Sequence, residues 1–301
     1  MSLLVTGSIG IDTVRTPHGA RQDCLGGSSV YFAMAASFFA PVRFLGVVGD
    51  DCPFDLHEFF RGRAVDLAGL EVRSGSKTFR WAGTYHDNMN DRTTDHVELN
   101  VLDEKPPRIP EAFKDSRYVF LANTNPSLQL ELLDQLAEPT LVVADTMDLW
   151  INNAAEDLDR LIRRVNGLVL NDSEVKMLTG QNNLVAAARQ VVDMGPDFVV
   201  VKKGEHGTFV ASKDGSSFML GAFPTEQVVD PTGAGDSFAG GMMGYLASVG
   251  DVTPEALKAA CIYGTIIASF NIEDFSLNKF KQITRADIDA RVDEFRQMLK
   301  F

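Results

Sequence analysis

Cysteine is scarce in this chain. The three residues, Cys24, Cys52 and Cys261, are odd in number and show no CxxC spacing. That usage argues against a disulfide framework and a structural zinc site, and it suits a reducing, cytoplasmic setting. The five histidines (His18, His57, His86, His96 and His206) are scattered, and none stands in HExxH spacing, so zinc catalysis has no support. No apolar run reaches the roughly 18 residues that a bilayer span needs. Residues 1–7 lack a basic leader and a long apolar stretch, so they read as a first strand rather than a signal peptide. Positive charge is also in deficit, with 28 Lys and Arg against 41 Asp and Glu and a net charge of −13. A nucleic-acid partner is therefore not expected. Anionic ligands remain open, because backbone N–H groups hold a phosphate whatever the global charge.

What is present is an ordinary folded composition, 45% hydrophobic and 23% charged, in 301 residues. This length fits one large α/β domain, with or without a smaller appendage. Short apolar runs predict buried strands at 3–6, 42–48, 118–121, 141–144, 167–170, 198–201, 208–211 and 217–220. Between and after them, helices are expected at 28–39, 127–137, 154–165, 172–178, 183–194, 234–249, 254–270 and 286–299. Such alternation implies crossover connections, hence a three-layer αβα fold around a mostly parallel sheet. Two stretches break the pattern. Residues 12–23 are polar and turn-rich, and residues 71–101 resemble a β-hairpin around the turn at 87–91. The expected organisation is a main domain from 1–11, 26–70 and 102–301, with 12–25 and 71–101 forming a discontinuous β lid.

The strongest chemical signal is the string from Asp230 to Gly241, DPTGAGDSFAGG. It reads as a turn feeding straight into a packed helix. Gly233 and Gly235 lack Cβ atoms and let the backbone approach a ligand closely. The first-turn N–H groups then converge on one spot, where the helix dipole adds partial positive charge. Phosphoryl transfer develops negative charge that such a nest can hold, and a neighbouring carboxylate, Asp236, can take a proton from an attacking hydroxyl. An isolated GxGD would read more simply as a capped turn; the full string is far more specific.

That string resembles the C-terminal signature of the ribokinase-type (PfkB) carbohydrate kinase family. Three further segments agree in order and spacing: Gly26-Gly27 before the strand at 42–48, Asn171-Asp172-Ser173-Glu174 as an NxxE pattern, and Lys203-Gly204-Glu205-His206-Gly207 after the strand at 198–201. The resemblance covers essentially the whole chain and implies a ribokinase-like αβα fold with a β lid. It implies an ATP- and Mg²⁺-dependent kinase in which Asp236 is the general base and the amides of Gly233, Ala234 and Gly235 form an anion hole. Asp12, Gly26 and Gly27 match substrate-contacting residues. Asn171 and Glu174 match residues that organise Mg²⁺, Glu174 through water, although the pair also reads as an N-cap with its capping-box partner. Lys203, Gly204 and Gly207 are expected beside the nucleotide, while Lys202 and Lys203 also read as solvated strand-end charges. Residues 268–270 are expected near the adenine. The resemblance also allows a monovalent cation near Asp230 and a homodimer through the lid.

One departure bears on the acceptor. True ribokinases carry an Asn where this chain has Tyr31, and the lid residues Phe79, Arg80, Trp81 and Tyr85 are large. Aromatic faces can stack on a sugar or a nucleobase, or can build a lid core. The acceptor thus stays open between a small carbohydrate and a ribonucleoside, as in a nucleoside-kinase-like member. A non-catalytic sugar- or nucleotide-binding protein of the same fold is the alternative. An NAD-linked reading fails on Gly7-Ser8-Ile9-Gly10, which is not a full GxGxxG.

Overall fold

The computed structural model of the protein describes residues 2–300. Strands follow along the chain as β1 (Leu3–Thr6), β2 (Gly10–Thr16), β3 (Gly19–Gly26), β4 (Val42–Gly49), β5 (Val65–Arg73), β6 (Phe79–Tyr85) and β7 (Arg92–Glu98). They continue as β8 (Tyr118–Leu121), β9 (Leu141–Asp145), β10 (Gly167–Asn171), β11 (Phe198–Lys202), β12 (Thr208–Ser212) and β13 (Ser217–Leu220). The helices are α1 (Ser28–Ala36), α2 (Leu56–Phe59), α3 (Pro126–Leu133), α4 (Asp148–Asn153) and α5 (Ala155–Ile162). After them come α6 (Asp172–Thr179), α7 (Leu184–Asp193), α8 (Ala234–Val249), α9 (Pro254–Asn271) and α10 (Arg285–Met298).

Nine strands form one sheet in the order β13-β12-β11-β10-β9-β8-β1-β4-β5. All neighbours are parallel except β11–β12 and β12–β13. The inner strands are apolar on both faces because successive side chains point to opposite sides and both sides are covered. Val5, Phe44, Phe120, Val143 and Val200 join α1, α8, α9 and α10 in one core. Leu4, Leu45, Val119, Val142 and Val199 join α3, α5 and α7 in the other. Phe32 of α1 stacks on Phe120 of β8 with ring centroids 4.4 Å apart, fixing that helix against the sheet. No helix among the described residues is long and apolar enough to cross a membrane.

The second sheet has the order β3-β2-β6-β7. Its central pair, β2 and β6, is parallel, and each carries an antiparallel partner. Residues 12–25, expected as part of the lid, lie within the β2–β3 hairpin, with Ile11 opposite Leu25 and Asp12 opposite Cys24. Much of β3 is polar because it is a solvated edge strand. One sequence expectation changes here: the hairpin expected over 71–101 is shorter. Glu71, Val72 and Arg73 pair with Val47, Val48 and Gly49 of β4, as the end of an edge strand that the sequence did not announce.

Helices α1 and α8 meet through small residues. A Cβ on Gly240 would stand 2.4 Å from the Phe32 carbonyl oxygen and 2.8 Å from the Ala35 Cβ. Gly240→Ala must push the two helices apart, and overpacking of this kind costs about 1–3 kcal/mol. Urea unfolding should show that loss; a stability within about 0.5 kcal/mol of the parent contradicts the close packing.

Candidate active site

A cleft of about 1180 Å³ lies where the carboxyl ends of β9, β10 and β11 face the lid. Asp145, Asn171 and Lys202 are the last residues of those strands, and all three line it. Open α/β sheets bind ligands at this edge. From the lid, Phe79, Trp81 and Tyr85 face the cleft, in keeping with period-2 alternation along β6. Arg80 turns away and pairs with Asp51 at 3.2 Å and Asp23 at 3.6 Å. Tyr85 is also structural, buried with Val14 and Phe275 in the lid core. Asn90, at the lid tip, donates from Nδ2 to Glu205 Oε1 at 3.2 Å, so the lid reaches across to the 204–207 loop.

The first turn of α8 is held from below and behind. Gly233 takes φ +74°, a conformation that disfavours residues with a Cβ, and the Tyr31 ring lies within 2.3 Å of where such a Cβ would stand. Tyr31 is thus a buried support under the turn. Asp230 clasps the approach: its Oδ1 accepts from the Thr232 amide at 2.9 Å and its Oδ2 from the Ser276 amide at 3.0 Å. Asn271 of α9 donates to the Thr232 carbonyl at 2.8 Å and accepts from Ser237 Oγ at 3.0 Å. The Ala234 amide donates to the Pro231 carbonyl at 3.1 Å, whereas the Gly233 and Gly235 amides have no acceptor among the described residues. Asp236 occupies the same turn and lines the cleft. Burial, then the charge of Asp145, pushes its pKa up, while Lys202 and Arg92 pull the other way.

At the other end sits Asp12 on β2, 5% exposed, with Oδ1 lacking any partner among the described residues. Its pKa is pushed up to about 7, first by burial and then by Asp230 and Asp236. Gly26 is where the chain passes this carboxylate; a Cβ there would stand 1.8 Å from Asp12 Oδ2. Gly27, at φ +97°, caps α1 and lines the cleft. A buried acceptor with a free oxygen is what a substrate hydroxyl can satisfy.

Asn171 and Glu174 form a full capping box on α6. Asn171 Oδ1 accepts from the Glu174 amide at 2.8 Å, and Glu174 Oε2 accepts from the Asn171 amide at 2.7 Å. Burial raises the Glu174 pKa, Lys202 opposes the rise, and Asp145 adds to it. Gly204 and Gly207 line the cleft on this side, as do Ala268 and Ser269 of α9. Phe270 does not: it is buried beneath the Arg291 guanidinium, 3.4 Å from its ring centroid. The two lysines also differ from expectation. Lys203 does not line the cleft, whereas Lys202, read as a solvated charge, is turned into it, because consecutive strand residues face opposite ways.

Asp145, Lys202 and Arg92 are site residues that sequence reasoning passed over. The available signal was position: Asp145 and Lys202 directly follow apolar strands predicted at 141–144 and 198–201. Arg92 offered none, since its reach depends on how the lid folds over. No group of three or more His, Cys, Asp or Glu that could hold a metal occurs among the described residues. A magnesium ion here would rest on few side chains, with water and phosphate oxygens completing its shell.

Comparisons with known proteins bear on this cleft. Residues 24–282 match the pfkB family carbohydrate kinase description. The cytidine kinase of Thermococcus kodakarensis is 32% identical over 252 residues, covering 81% of this chain and 88% of that protein. The Methanocaldococcus jannaschii nucleoside kinase, an archaeal member of the ribokinase family, superposes with a TM-score of 0.78 at 19% identity, over 97% of this chain and 98% of that one. The Salmonella enterica aminoimidazole riboside kinase, solved with aminoimidazole riboside and an ATP analog, gives 0.80 at 19% identity, over 97% and 100%. At those identities the two structures establish the shared ribokinase fold. Given the family match across most of its length, the chain belongs to the pfkB family of carbohydrate kinases and is an ATP-dependent sugar or nucleoside kinase.

Proposed function

We propose that the enzyme phosphorylates the hydroxymethyl group of a ribonucleoside, with Asp236 as general base and the Gly233 and Gly235 amides as anion hole, the Ala234 amide being already bonded to the Pro231 carbonyl. One observation carries this reading: Asp236 and the unpaired Gly233 and Gly235 amides face the same cleft as the free oxygen of Asp12. Asp12 can accept from a sugar hydroxyl, while Phe79 and Trp81 offer aromatic faces to a base. The likeness to a cytidine kinase favours a nucleoside over a free sugar.

Asp236 takes the proton as the acceptor oxygen forms its bond to phosphorus, and the bond from phosphorus to the ADP oxygen breaks. A raised carboxylate pKa suits this base, because proton transfer is most effective when its pKa lies near the working pH. The Gly233 and Gly235 amides, at a helix start, hold the developing charge with no reorganisation. Gly204 and Gly207 border the nucleotide, and the lid excludes water from the acceptor side. ATP would supply the transferred group, and a Mg²⁺ ion, held through water by Glu174 with Asn171 beside it, would supply charge to neutralise phosphate oxygens. Glu174 fits such an ion through water, since its Oε1 has no partner among the described residues.

Three outcomes are expected. Asp236→Asn should melt like the parent but lose on the order of 10²–10⁴ in kcat; turnover within threefold of the parent removes Asp236 from the role. Because the base must be ionised and burial raises its pKa, kcat/KM should fall as pH drops through values well above the ordinary aspartate value of about 4. A profile flat from pH 8 to 5 contradicts that assignment. Across an acceptor panel, cytidine and other ribonucleosides should exceed free pentoses and hexoses in kcat/KM by about tenfold or more. The reverse order leaves the kinase standing but turns the acceptor into a small carbohydrate.

A further inference from the structure

We infer that Lys202 is a catalytic residue, the side chain whose ammonium binds the transferring phosphoryl group. The inference rests on the reading that phosphoryl transfer occurs in front of Gly233 and Gly235. Lys202 ends β11 and its side chain is only 17% exposed. Its Nζ lies 2.7 Å from where a Cβ on Gly235 would stand, so the ammonium sits over the first turn of α8. A side chain at 235 would displace that ammonium from its place over the turn.

The ammonium is largely buried and faces the cleft with its donors unused by the protein. Its nearest carboxylate oxygen, Asp145 Oδ2, is 3.8 Å away, and Nζ donates no hydrogen bond among the described residues. An ammonium has three N–H donors, and here they open onto the cleft, where a ligand can accept them. Burial works against its charge, yet Asp145, Glu174 and Asp236 together outweigh burial and raise its pKa. Lys202 is thus held charged, with donors free, in the space bounded by the two unpaired amides and Asp236. A phosphoryl oxygen is the acceptor chemistry that fits a charged donor beside a helix N-terminus.

The competing role is structural: Lys202 would only neutralise the buried Asp145. The two roles part in a set of variants. Lys202→Met should lower affinity for a non-hydrolysable ATP analogue about tenfold or more in calorimetry. It should also lower kcat by about 10²-fold. Lys202→Arg should recover part of both losses. Should Lys202→Met unfold because Asp145 is left bare, the double variant Lys202→Met/Asp145→Asn removes both charges and is expected to fold. That double variant should stay as weak toward the analogue, and as slow, as the loss of the ammonium dictates. Analogue binding within twofold of the parent, or parental turnover, in either folded variant overturns the inference. The binding arm needs no acceptor and no turnover, so it decides about Lys202 even if Asp236→Asn remains active and the general-base assignment falls.

Discussion

One constraint governs the cleft: the first turn of α8 leaves the Gly233 and Gly235 amides without acceptors among the described residues while carrying the buried carboxylate of Asp236. Neither group is comfortable there without support. The turn is propped by the Tyr31 ring from α1, clasped by Asp230 and tied to α9 through Asn271. Much of the packing between α1, α8 and α9 therefore serves to fix one short piece of backbone. The α8–α9 and α1–α8 contacts use Gly240, Gly241, Gly244 and Gly264 to bring backbones close, which makes the props rigid.

Electrostatics follow from the same crowding. Asp12, Asp145, Glu174, Asp230 and Asp236 all have raised pKa values, and burial is the leading cause in each. A chain of net charge −13 has gathered acids around the cleft of an enzyme whose cosubstrate, ATP, is a polyanion. Local geometry resolves the contradiction. Helix-start amides, Lys202 at the sheet edge and Arg92 from the lid set positive character at one point, against a negative background that repels anions elsewhere.

The architecture was largely legible because buried parallel strands are continuous apolar runs. The strands at 118–121 and 217–220 and the helix at 234–249 agree with expectation to the residue. The β5 strand was not legible: VDLAGLEVR mixes charge, glycine and apolar residues, as an edge strand can. Residues 12–25 were placed in the lid, but the polarity of its solvated edge hid where β2 ends and β3 begins. In the site, Asp236 and the glycines stood out through one specific string. Lys202 did not, because two adjacent lysines at a strand end look alike until the pleat decides which one turns inward. Asp230 and Asn271 owe their parts to partners 46 and 34 positions away, at Ser276 and Ser237, which no local pattern encodes.

The lid is built from two hairpins that are distant in sequence and joined by the parallel pairing of β2 with β6. Between them run α1, β4, α2 and β5. An emerging polypeptide therefore cannot complete the lid when its first hairpin forms. Gly10 can meet Phe79 only once the chain has been made through β6, so this small sheet closes on a long-range contact. Both hairpins end by Glu98, before α8 begins at Ala234, so a newly made chain has its cover before the helix start that the cover faces.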